Sequence, residues 1–229
     1  MTDTIYPLVD KLWATDVVIL ANGDYPTHPI AVNLLHQAKR LLCCDQAGEK
    51  ALRDPKLKIE AVVGDGDSIS ISLRNAIKDR FIRIEEQEDN DLTKATRYAI
   101  QHLAEWGAEE KPTIVYLGAT GKREDHTLGN ISLMMRYHKD MNIKPMMVTD
   151  YGWFVPVTGD AIFESFPGQQ VSLFNLSCTE LTGKGLKWSP YPTTQLWQGT
   201  LNEALDSQFA IQTDGDYLVY RTFEKKGLV

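Results

Sequence analysis

Four aspartates carry the strongest chemical signal in this sequence. Asp45, Asp65, Asp67 and Asp91 each follow closely on a short apolar run. Carboxylates brought together in water repel by about 1 kcal/mol per pair, and by more in a cleft of lower dielectric. A chain that gathers four of them calls for a compensating cation. Hard oxygen donors suit Mg²⁺ completed by water and substrate phosphates. Each aspartate taken alone reads equally as a helix cap or a turn residue, so the weight lies in the set. Around it stand Asn22, then Gln87, Thr93 and Lys94, then Gly118-Ala119-Thr120-Gly121-Lys122-Arg123-Glu124-Asp125-His126. Glycine loops leading into a helix can present N–H groups to phosphate, and Lys122 and Arg123 add positive charge. His126 reads either as a proton carrier or as a locally bonded helix-start residue. Neither a P-loop nor a dinucleotide fingerprint occurs.

The positions of these residues imply the fold. From Asp16 to about Thr149, apolar runs alternate with amphipathic stretches: residues 17–20, 40–44, 59–63, 80–84, 113–117 and 144–149. Each run has the length of a strand. Helices are expected from near His28, Asp45, Ser68, Asp91 and Glu124. The clearest has Leu92, Ala95, Ala99, Leu103 and Trp106 at helical spacing. This is the pattern of βα units building a parallel, Rossmann-like sheet with flanking helices. Ligands bind such sheets outside the carboxyl ends of the strands, where these polar residues fall. After about Asp150 the runs are short and set between turns, with hairpins expected at Thr158–Asp160, Pro167–Gly168 and Thr213–Asp216. Residues 194–201 read as one of these β runs. The expectation is an α/β domain over residues 1–149, followed by an all-β sandwich or barrel over residues 150–229.

Bulk properties exclude several alternatives. At 229 residues, with 43% hydrophobic and 24% charged residues, the chain is an ordinary globular one. A net charge of −7 argues against nucleic-acid binding, which needs a basic face. No run is apolar enough to span a membrane, and Met1–Lys11 lacks the core of a secretory signal. Three cysteines, two adjacent, do not make a disulfide framework, so a cytoplasmic setting is expected. Cys43 and Cys44 read as buried strand residues, and Trp188 and Trp197 as core more readily than as ligand platforms.

The segments GDGDS (64–68), QEDNDLTKA (87–95), GATGKREDHTLGN (118–130) and LTGKGLKW (181–188), in this order and spacing, resemble thiamine pyrophosphokinases along nearly the whole chain. The resemblance implies transfer of a pyrophosphoryl group from ATP to thiamine, with Mg²⁺, in a homodimer whose thiamine site lies between subunits. It implies metal contacts for Asp45, Asp65, Asp67 and Asp91. Asp65, Asp91, Lys94 and Arg123 take catalytic roles. Asn22, Asp45, Gln87, Thr93, Arg123, Asp125 and His126 contact ATP, and Trp188, Asn202 and Glu203 contact thiamine. Departures from the family pattern are Leu201 for a common Ser, Asn90 for Thr, Lys122 for Gly, and Gln46-Ala47 for a glycine pair. The competing readings are a metal-dependent phosphohydrolase using the same aspartates, and a nucleotide- or thiamine-binding module without turnover.

Overall fold

The structure is a computed structural model that describes residues 4–10, 15–67 and 69–227. Ser68 and part of Met1–Lys11 lie outside these residues. In chain order the strands are β1 (Thr4–Tyr6), β2 (Val17–Leu20), β3 (Arg40–Cys44), β4 (Ile59–Gly64), β5 (Phe81–Arg83), β6 (Thr113–Leu117), β7 (Lys144–Val148), β8 (Gly152–Thr158), β9 (Ala161–Glu164), β10 (Gln169–Asn175), β11 (Leu181–Lys184), β12 (Asn202–Glu203), β13 (Gln208–Thr213) and β14 (Asp216–Lys225). The helices are α1 (Pro29–Gln37), α2 (Ala47–Ala51), α3 (Ile71–Ile77), α4 (Asp91–His102) and α5 (Glu124–Asp140).

One sheet of ten strands runs through the molecule in the order β12-β10-β14-β8-β7-β6-β2-β3-β4-β5. From β7 to β5 the pairing is parallel, and beyond β7 it is antiparallel. Side chains alternate across it as the strand period requires. Val18 and Leu20 face α1, α2 and α3, whereas Val17 and Ile19 face α4 and α5. Parallel strands covered on both faces become continuous apolar runs, which is why VVIL and RLLCC read so clearly. The connection style changes at Asp150, from helical crossovers to short turns, while β7 and β8 still pair through Met147–Phe154 and Val148–Trp153. A second sheet, β1-β9-β13-β11, packs Phe163, Phe209 and Ile211 against Val155, Val171 and Val219 of the first.

Several expectations need correction. The three predicted hairpins are not hairpins. The turns at Gly159, Gly168 and Gly215 carry the chain from one sheet to the other, since β9 pairs with β1 and β13, and β13 pairs with β9 and β11. A turn signature reports reversal, not pairing. Asp214 shows what the last turn does instead: its carboxylate accepts from the Thr179 and Glu180 N–H groups at 2.9 Å each, tying the turn to the β10–β11 loop. Residues 194–201 are not a strand. A 3-10 turn spans Leu196–Gly199, where Gln198 Oε1 accepts from the Thr194 and Gln195 N–H groups. Helix α4 stops at His102, short of Trp106, because Gly107 turns to φ +68° and Ala108 N–H closes back on Leu103. Strands β1, β11 and β12 were not foreseen. β1 is held by the buried Arg221 guanidinium, which donates to the Tyr6, Pro7 and Glu164 carbonyls and stacks 4.7 Å from the Trp153 ring.

Candidate active site

Strand order places the cleft. From β2 the chain builds outward through β3, β4 and β5, then returns to place β6 and β7 on the other side. The switch point therefore lies between β2 and β6, where open α/β sheets bind ligands. A cleft of about 450 Å³ opens there and extends over the β3 and β4 ends.

The carboxylate wall is built first. Asp45 ends β3 at φ +46° and is only 7% exposed. Its Oδ1 rests on Gly64, where an added Cβ would lie at 2.8 Å, and has no hydrogen-bond partner. Burial, with Asp91 and Asp65 nearby, raises its pKa from 3.8 to about 6. Asp65 follows β4 and is held below the ordinary range by the Asp67 N–H at 3.0 Å and the Gln87 amide at 3.3 Å. Asp91 opens α4 and is pushed up by burial. Lys94, one turn on, is 2% exposed and lies 3.6 Å from Asp91 Oδ1. All four side chains line the cleft, as do Gln87, Asn22, Arg123 and His126.

Three expected contacts sit elsewhere. Asp67 is exposed and gives its N–H to Asp65; its side chain is not part of the cleft wall. Thr93 is fully buried and faces away, its hydroxyl bonded to Asn90 Oδ1 at 2.9 Å and to the Tyr137 hydroxyl at 2.6 Å. Asn90 caps α4 by accepting the Thr93 N–H. Because Asn is as good an N-cap as Thr, that departure leaves the helix start intact. Asp125 lies outside the cleft wall and holds Arg123 through two bonds of 3.1 and 2.6 Å, which lowers its own pKa to about 2. The Gly118–Gly121 loop is zipped to the β2 exit loop. Gly121 N–H goes to Thr127 Oγ1, and the Gly118 and Thr120 carbonyls accept from Gly23 and Asp24. Gly23 is required by this zip: a Cβ there would meet Thr120 O at 2.1 Å.

Sequence reasoning missed Asn130. Buried at the cleft wall, it donates to the Ala119 carbonyl at 2.7 Å and accepts from the Asn90 amide at 3.0 Å, tying the β6 exit to the α4 cap. Its only signal was its place at the end of the 118–130 segment.

Could this wall hold a divalent cation? Among the described residues no three His, Cys, Asp or Glu side chains close around one point. Mg²⁺ uses one or two carboxylates and otherwise keeps water and substrate phosphates. The unpartnered buried Asp45 Oδ1, beside Asp65 and Asp91, is the kind of hard donor such an ion takes, so the residues fit.

The candidate thiamine contacts lie apart. Trp188, 52% exposed, is tied to Asn202: Trp188 N–H donates to Asn202 Oδ1 at 3.2 Å, and the Asn202 amide donates to the Trp188 carbonyl at 2.8 Å. Both line a second cavity of about 470 Å³ with Tyr191, Thr200 and Leu201. Glu203 is outside it and accepts from Lys187 at 3.3 Å. The two cavities share no residue.

Fold and cleft define the class: a doubly wound α/β protein with an acid-lined cleft at its switch point, continuous with a β sandwich. Residues 31–145 match the thiamin pyrophosphokinase catalytic domain, and residues 152–220 match the thiamin pyrophosphokinase substrate-binding domain. The chain belongs to the thiamin pyrophosphokinase family. It is 31% identical to thiamin pyrophosphokinase 1 of Caenorhabditis elegans over 143 residues, 58% of this chain and 55% of that one, so this match spans little more than half of the nematode protein. Thiamine pyrophosphokinase 1 of Oryza sativa subsp. japonica is 24% identical over 93% of this chain and 89% of its own. In fold the chain is similar to thiamin pyrophosphokinase from Candida albicans, with TM-score 0.79 at 16% identity over 98% and 94% of the two chains. The Bacillus subtilis enzyme gives 0.72 at 21% identity over 90% and 98%.

Proposed function

We propose that this protein transfers the pyrophosphoryl group of ATP to the hydroxyl of thiamine, giving thiamine diphosphate and AMP, in a reducing, cytoplasmic setting. The observation that carries the reading is the convergence of Asp45, Asp65, Asp91 and Lys94 on one cleft at the strand ends. Pyrophosphoryl transfer asks for positioning and neutralisation of negative charge more than for covalent chemistry. Asp45, Asp65 and Asp91 would hold Mg²⁺, which when bound neutralises phosphate charge, with Asp67 stiffening Asp65 through its N–H. Lys94 meets charge developing in the transition state. Arg123, steered by Asp125, lies at the rim with Asn22 and His126 for the nucleotide. Gln87 fixes the orientation of Asp65. Both Asp65 oxygens accept hydrogen bonds, while Asp91 has only the longer Lys94 contact. That difference favours Asp91 as acceptor of the thiamine proton.

The same reading includes a homodimer. Asn202 lies in β12, at the far edge of the sheet from the aspartates. Six to eight strand spacings of about 4.8 Å separate β12 from β2 and β4, roughly 30–40 Å. Thiamine held by Trp188 and Asn202 would lie far from the cleft of its own chain, which supports a second copy completing the site. Trp188, Tyr191 and Leu201, which line that cavity, are all more than half exposed, as a surface awaiting a partner would be. At thiamine well below its KM, where a Trp188→Ala copy alone keeps about a tenth of the rate, an Asp65→Asn copy mixed with it should then regain about a quarter of wild-type activity, since half the dimers are mixed and each carries one intact site. No regain in verified mixed dimers would overturn the shared site.

AMP formation that requires both thiamine and Mg²⁺ tests the activity. Phosphate release without thiamine would instead favour the phosphohydrolase, and ligand binding without turnover the binding module.

A further inference from the structure

Two lysines meet at the β2 exit loop: Lys122 lines the cleft, and Lys50 lines a neighbouring hollow with Tyr25 and Asp54. Lys50 comes from α2 and Lys122 from the loop after β6, far apart in sequence. Their ammonium groups meet on consecutive carbonyls of the β2 exit loop. Lys122 donates to Asn22 O at 2.6 Å and to Asn22 Oδ1 at 3.1 Å, while Lys50 donates to Gly23 O at 3.2 Å. The other cations of the cleft are already neutralised, Lys94 by Asp91 and Arg123 by Asp125. Among the described residues no ion pair within 4.0 Å joins Lys50 or Lys122 to a carboxylate; Lys50 feels the more distant Asp24 and stands 5.9 Å from the Tyr25 ring.

Two features make a purely structural tie an incomplete account. Like charges held together destabilise a fold unless an anion lies between them. Here each lysine lies near enough the other that the Lys50 pKa falls, through burial first and then through Lys122. Moreover, Lys122 adopts φ +59°, a left-handed conformation that long side chains avoid and that concentrates at functional sites. Lys122 has three N–H donors and bonds only Asn22 with them, which leaves one for a ligand in the cleft that it lines. A lysine pair of this kind takes phosphate as a point-charge binder.

We propose that Lys122 and Lys50 form a seat for the terminal phosphates of a nucleoside triphosphate, a specificity-determining pair that makes the cleft prefer tri- over monophosphates. The proposal rests on reading the cleft as a nucleotide site, but its test stands apart from turnover. Binding of inorganic pyrophosphate and of AMP to the full chain is measured by calorimetry in chelator, so that no metal contributes. Lys122→Gly and Lys122→Asn suit the left-handed φ and remove the charge; Lys50→Met removes the charge and keeps the stem. Each variant should melt within a few degrees of wild type, bind pyrophosphate about tenfold or more weakly, and bind AMP unchanged. In turnover the KM for ATP should rise while that for thiamine stays. Pyrophosphate binding equal to wild type, an equal loss for AMP, or no pyrophosphate binding by the wild type overturns the seat. Lysine-dependent pyrophosphate binding by a chain that makes no thiamine diphosphate would instead overturn the proposed reaction and leave the seat standing.

Discussion

Asp45 is placed at a cost to the fold, and removing its charge should reveal that cost. A buried carboxyl whose pKa moves from 3.8 to about 6 disfavours the folded state at pH 7 by about 3 kcal/mol, taking 1.36 kcal/mol for each tenfold change in acidity constant. Water entering the cleft lowers that to about 2 kcal/mol. The sign follows from linkage: the folded-state pKa is raised, so the penalty is present above pH 6 and fades as Asp45 takes up its proton toward pH 4. Asp45→Asn keeps the shape that rests on Gly64 and removes the charge. In metal-free buffer at pH 7 it should therefore melt higher than wild type, by about 4–8 °C at roughly 2–4 °C per kcal/mol for a chain of this size. At pH 4.5 the gap should shrink to about a third of its pH 7 size, and turnover by the variant should fall by about a hundredfold or more. The assay is thermal unfolding at the two pH values, with chelator present. A variant less stable than wild type at pH 7, or a gap of the same size at both pH values, would refute the argument that this carboxylate is held against its own electrostatics.

Other perturbations probe separate parts of the account. Lys94→Met should lower kcat about 10²–10³-fold with little change in the KM for thiamine, and an unchanged kcat would remove Lys94 from the chemistry. Trp188→Ala should raise the KM for thiamine about tenfold through loss of an aromatic face for a cation; an unchanged KM would exclude that contact. Arg221→Leu orphans three carbonyls and frees β1, costing about 3–5 kcal/mol and about 10 °C in Tm, which a melting curve checks. Asp214 has its pKa lowered to about 2, chiefly by Thr179 and then the Glu180 N–H. It therefore contributes stability above pH 4 that is lost as pH falls toward 2. Asp214→Asn should flatten the acid limb of the stability curve over that window, and an unchanged limb would assign the acid loss to other groups.

The parallel half of the fold was legible because its strands are buried on both faces, so VVIL, RLLCC and TIVYL stand out as unbroken apolar runs. The aspartates were legible because they follow those runs directly. What the sequence hid depends on contacts between distant segments. β1 is ordered by Arg221, over two hundred positions away in sequence. Turns at Gly159, Gly168 and Gly215 look like hairpin turns locally, and only the packing of two sheets decides that they cross. Thr93 shared its segment with cleft residues, but one residue of helix rotates a side chain by about 100°, which turns Thr93 onto Tyr137 while Asp91 and Lys94 face the cleft. Asp67 is likewise carried outward by Gly66 at φ +84°. Asn130 was hidden because a buried amide in a helix has no local signature until the loop it holds is in place.

The central claim is that a two-phosphorus unit leaves ATP intact for thiamine. ATP labelled at the β-phosphorus, incubated with protein, Mg²⁺ and thiamine, tests this directly. The account predicts that the label appears in thiamine diphosphate, in an amount equal to the AMP formed, and that AMP carries none. Label retained in ADP, or released as inorganic phosphate or pyrophosphate with thiamine unmodified, would contradict it.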